Sequence, residues 1–112
     1  MGRERLQFSF TETTIANATT EINAYIDAVY NAVGASQDKE TVDVTVKVYH
    51  YTGAVYRTST FSMYAESVTA TINTVLKAQV SAFMTGITNV IAASGLTTVS
   101  SCYGTGIAVV EY

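Results

Sequence analysis

His50 and Cys102 are the only residues of their kind in this 112-residue chain, and together they are its one route to a nucleophile. Cysteine attacks as the thiolate, and an adjacent imidazole is a common means of making one. Both residues fall in strand-forming stretches that a sheet could bring together. The simpler reading is a small, half-buried cysteine packed in a strand, and it is preferred. No His–Cys or Cys–Cys spacing fits a zinc site, so no metal is expected. Gly104-Thr105-Gly106 begins like a glycine-rich phosphate loop. Such a loop needs a helix N-terminus directly after it, and here a strand-forming segment follows. Glu12, Asp43 and Glu66 are separated by element boundaries and form no acid–base pair. The sequence therefore assigns no catalytic residue and no cofactor, and the expectation is a protein that is not an enzyme.

Two other groups are suited to recognition. Arg57 and His50 stand near the end of a β-hairpin, and with Tyr51 and Tyr103 they could line the rim of a pocket for an anion or a polar ring. A guanidinium offers a fixed fork of donors and an imidazole adds one more; the competing reading is a solvated hairpin tip. Tyr49, Tyr56 and Tyr64 fall on the other face of the hairpin. Tyrosine gives large contact area at low entropic cost, although ordinary cross-strand pairing produces the same pattern. Thr74, Lys77, Ser81 and Thr85 lie on the back of a helix whose residues there are small and nearly all uncharged. With the tyrosines they make the candidate interface.

These positions depend on the hairpin itself. From Thr41 to Tyr64 apolar and polar residues alternate, with a break at Thr52-Gly53, the period-two signature of two half-buried strands and a tight turn. Taking Thr52 and Gly53 as the central turn residues sets Tyr51 opposite Ala54 and Tyr49 opposite Tyr56. Val42, Val44, Val46, Val48 and His50 then share the core face. Upstream, Arg3-Glu4-Arg5 reads as a solvated lead-in to a strand marked by Leu6, Phe8 and Phe10. Ile15, Ala18, Ile22, Tyr25, Ile26, Val29 and Val33 recur with helical period, from an N-cap at Thr13 or Thr14 to a stop at Gly34. Residues 35–40 read as a polar loop.

Downstream, Val68, Ile72, Val75, Leu76, Val80, Phe83, Ile87, Val90 and Ile91 form a second helical stripe that ends at Ser94-Gly95. Gln79 and Gly86 interrupt it, the glycine marking a kink, a split or a close backbone contact. The tail, residues 96–112, is strand-forming, with Gly104–Gly106 either bulging one strand or turning an extra hairpin. The order strand, helix, strand, strand, helix, strand predicts one α+β domain over residues 1–112. Its architecture is the ferredoxin-like, split βαβ sandwich, an antiparallel sheet with both helices on one face; a hairpin tail would give five strands in another order.

Composition narrows the function classes. Charged residues make up 13% of the chain, about half the usual share, while apolar residues hold at 48%, which is globular rather than disordered. A net charge of −3 with six scattered Lys and Arg residues argues against nucleic acid, which needs a basic patch. A lone cysteine supplies no disulfide framework. No unbroken apolar run approaches the ~18 residues of a membrane span, and no signal-like segment opens the chain. The expectation is a cytoplasmic or virion-assembled protein without membrane contact.

From Ser67 to Tyr112 only Lys77 and Glu111 are charged. A half-chain so poor in charge is expected to be covered, and a chain of this size has little left to cover it. The Thr/Ala/Ser/Val-rich, proline-free composition resembles that of phage-encoded assembly proteins, including virion and tail components. The functional expectation is a non-enzymatic structural module that forms homo-oligomers. The alternatives are a ligand-binding or sequestering module using the Arg57–His50 end, and an inhibitor that docks on a host protein.

Overall fold

The computed structural model describes residues 2–33, 36–68 and 71–112. Six elements follow in order: β1 (Arg3–Glu12), α1 (Ile15–Ala32), β2 (Lys39–Thr52), β3 (Val55–Ser67), α2 (Ile72–Ala93) and β4 (Thr98–Glu111). The four strands form one antiparallel sheet in the order β1-β4-β2-β3. β4 lies between β1 and β2, and β2 lies between β3 and β4, so each βαβ crossover is split by a strand from the other. This is the α+β sandwich of ferredoxin-like type that the element order predicts.

Both helices cover one face, α1 over β1 and β4, α2 over β2 and β3. The reason is visible in β2, where Glu40, Val42, Val44, Val46, Val48 and His50 are buried between half-buried or exposed neighbours. Against this face α1 sets Ala18, Ile22, Ile26 and Val29, and α2 sets Ile72, Leu76, Val80, Met84, Ile87 and Ile91. Thr14 caps α1, its hydroxyl accepting from the Asn17 N–H at 3.0 Å. The expected stop at Gly34, and Ala70 on the helix back, lie outside the described residues.

α2 runs unbroken through Gly86 and ends at Ser94-Gly95, where Gly95 takes φ +79°. Val68 precedes the helix and is exposed, as is Val90, while Val75 and Phe83 are half-buried. With 22 residues and a mean hydropathy of 1.2, α2 is long and apolar enough by those measures to cross a membrane. Counting unbroken apolar runs misses this, because Asn73, Lys77 and Gln79 interrupt the run while the average still reaches 1.2. In this fold its apolar stripe is docked on the sheet.

The tail is a single strand. Its glycines are required by what lies across them on the neighbouring strands: a Cβ on Gly106 would run into the Phe8 ring of β1, and one on Gly104 would meet the Thr45 carbonyl oxygen of β2, with Phe10 Cζ 3.1 Å away. The rings occupy the space of the missing side chains. The sheet's irregularity falls elsewhere, between Tyr49 and His50 of β2 where β2 pairs with β4.

Three boundaries differ from the sequence reading. Arg3, Glu4 and Arg5 belong to β1, and Lys39 and Glu40 belong to β2. The hairpin turn is Gly53-Ala54, so Tyr51 faces Tyr56, His50 faces Arg57 and Val48 faces Ser59. Every pair moves by two residues, and the faces keep their identity because the side-chain period is two. Gly53, at φ +60°, takes the first central position of a two-residue turn. Thr52 is retained in the ladder by distant bonds, its hydroxyl donating to the Gly95 carbonyl at 2.9 Å and accepting from the Thr97 N–H at 3.2 Å.

Candidate functional site

At the hairpin end the four residues expected to form a pocket rim do not converge. His50 is fully buried on the core face. Its Nδ1–H donates to the Leu96 carbonyl at 2.8 Å, since a carbonyl can only accept, and Nε2 shares a hydrogen bond with the Ser59 hydroxyl, also at 2.8 Å. Arg57 stands opposite it in solvent. Tyr51 and Tyr103 are half-buried on the other face of the sheet. With Thr52, His50 ties the hairpin tip to the α2–β4 connection. Both ring nitrogens are engaged, so the imidazole does not serve Cys102, which sits opposite Val48. Burial pushes that thiol up to about 11, the opposite of an activated cysteine.

The sheet face away from the helices is covered by no described element. Tyr56 stacks on Tyr49, ring centroids 5.6 Å apart at 13°, and packs at a tilt on Tyr51 at 5.4 Å. Tyr64 does not join them. It lies opposite Asp43 and donates to Glu66 Oε2 at 3.3 Å, where Lys39 bridges Glu66 and Glu111 at 3.4 and 3.7 Å. Between the two ends, Gln7, Ser9, Asp43, Thr45 and Thr105 line a shallow depression. Among the described residues, the large apolar and aromatic side chains more than half exposed are Val55, Tyr56, Tyr64, Val68 and Val90. All five belong to β3, α2 or the segment joining them.

The helix back divides. Lys77 and Ser81 turn toward α1: Lys77 Nζ lies 3.0 Å from Asp27 Oδ2, and Asn23 Nδ2 donates to Ser81 Oγ at 3.4 Å. Thr74 and Thr85 remain exposed along the groove between the helices. The single positive charge of that face is thus spent inside the chain, because α1 packs against the flank of α2 that carries Asn73, Lys77 and Ser81.

Sequence reasoning missed Glu40. It continues the core parity of Val42, and parity is the only signal that could have found it. Both carboxylate oxygens are buried without a hydrogen-bond partner, as is Oγ of its cross-strand neighbour Ser67. Burial pushes the Glu40 carboxyl up to about 8, with Asp27 adding to the effect and Lys77 opposing it. A carboxylate pair also forms where none was expected: Glu12 hydrogen-bonds Glu21, which raises Glu12. Among the described residues no three His, Cys, Asp or Glu side chains gather to hold a metal ion. The chain matches no protein-family model, no curated protein and no solved structure.

Proposed function

We propose that this chain is a non-enzymatic module whose role is to associate with copies of itself. The observation that carries the reading is the asymmetry of exposed apolar surface, with Val55, Tyr56, Tyr64, Val68 and Val90 all on the β3–α2 side and each 52–64% exposed. Exposed apolar side chains confined to neighbouring elements point to a contact surface more than the same residues scattered over the whole chain would. That side is also short of charge: Arg57, Glu66 and Lys77 are its only charged residues, and Lys77 is bound to Asp27. The pocket reading at Arg57 and His50 loses its main support, because His50 has no free ring nitrogen.

Light scattering coupled to size exclusion, over a wide range of protein concentration, tests the proposal. A discrete oligomer that persists on dilution is expected. A monomer of 12.0 kDa at every concentration would overturn self-association and assign the same surface to a different protein.

A further inference from the structure

We propose that the outer edge of β3 pairs with the β3 edge of a second copy, antiparallel about a two-fold axis normal to the sheet, so that one sheet runs through both chains. This names the surface used by the self-association proposed above and rests on it. β3 is an edge of 13 residues that pairs with β2 without a bulge. An edge presents a row of backbone donors and acceptors, and chains that stay apart blunt it with charge, proline, a bulge or short length. The opposite edge is blunted: β1 carries Arg3, Glu4, Arg5 and Glu12 in 10 residues. Between Thr58 and Ala65, β3 has none of these devices, and its charges, Arg57 and Glu66, stand outside that stretch.

What flanks the edge selects a copy of this chain over an unrelated strand. One side of α2 meets α1 through Asn73, Lys77 and Ser81. The opposite side, toward the β3 edge, carries Val75, Gln79, Phe83, Gly86 and Val90 at helical spacing. Val75 and Phe83 are half-buried, Val90 is 52% exposed, and the position of a Cβ on Gly86 has nothing within 4 Å. Beneath that flank, Phe61 and Met63 of β3 are also only half-buried.

A two-fold normal to the sheet keeps both α2 helices on the same side. Each lies over β2 and β3, so their axes come two strand spacings apart, about 10 Å, which is the distance of packed helices. A lone strand would satisfy the backbone of β3 and leave this helix flank open. The edge face, as long as β3 and as deep as the molecule's 17–21 Å breadth, offers on the order of 800 Å² per chain, the share each partner buries in a stable interface.

The test uses the full chain carrying Gln79→Glu and Val90→Glu together. Both positions are exposed, so the fold is retained, as circular dichroism would verify, while like charges meet across the axis. The wild type is expected to associate, the double variant to need protein concentrations about tenfold higher or more, and Thr105→Glu on the open face to behave as wild type. Hydrogen exchange gives a second readout, with the amides between Thr58 and Ala65 that face away from β2 protected in the wild-type oligomer and released on dilution. Association that survives the double substitution, or that leaves those amides unprotected, would overturn the β3 edge while self-association stands. A wild type that never associates would overturn both.

Discussion

His50 shows how residue type and residue position can argue against each other. Its chemistry suggests a ligand or a solvated tip, while strand alternation places it on the core face. Position prevails because Leu96 and Ser59 complete the ring's hydrogen bonds at 2.8 Å each, which removes the cost of burying it. Ser59→Ala leaves Nε2 without a partner in a site that His50 shares with no solvent. The expected loss is about 1–3 kcal/mol, read as a lower urea midpoint with an unchanged slope. A midpoint equal to that of the wild type would show that the Ser59 bond adds nothing to stability. Burial of the ring was legible in the alternation, but its partners were not: Leu96 lies 46 residues away, and nothing in either segment advertises the other.

The elements were more legible than their partnerships. A 2.0 or 3.6 residue period survives any choice of neighbour, so both helices and all four strands can be read from local pattern. A hairpin slipped by two residues presents the same faces, and what favours the observed register lies outside the alternation, in Gly53 at φ +60° in the turn and Thr52's bonds to Gly95 and Thr97. The same limit applied to Gly104 and Gly106, whose meaning depends on β2 and β1. Their roles predict unequal costs. Gly106→Ala meets the Phe8 ring, the far end of a side chain that stacks on Tyr25 at 4.7 Å, and is expected to cost about 1–3 kcal/mol. Gly104→Ala meets the backbone of Thr45, which cannot swing aside, and is expected to cost more. In a double-mutant cycle, Phe8→Leu should recover part of the loss at Gly106 and none at Gly104. No recovery at Gly106 on Phe8→Leu would show that the Phe8 ring does not set the cost there.

For the whole molecule, two inward carboxylates link stability to pH in opposite senses. Burial alone would raise Asp27, but hydrogen bonds from Asn73 and Lys77 and the Lys77 charge outweigh it and the net shift is downward. Its contribution is therefore present above its ordinary value of 3.8 and is lost as pH falls through the lower folded value. Glu40 behaves the other way, with an ordinary value of 4.5 and a folded value of about 8. Between the two, the folded chain holds a proton that the unfolded chain has released, so stability falls as pH rises and levels off above about 8. At ~1.4 kcal/mol per unit the fall has an upper bound of about 5 kcal/mol. Stability should therefore peak in mildly acid solution. Glu40→Gln keeps the shape and removes the titration, so its melting temperature should change little between pH 5 and 8 while that of the wild type declines. Parallel profiles for the two proteins would mean that Glu40 ionises as readily folded as unfolded. Glu40 pairs with Ser67, the last residue of β3, so its ionisation places an unpartnered buried charge at the end of the strand proposed to meet a second copy. Self-association through β3 should accordingly weaken over the same pH interval in the wild type and not in Glu40→Gln.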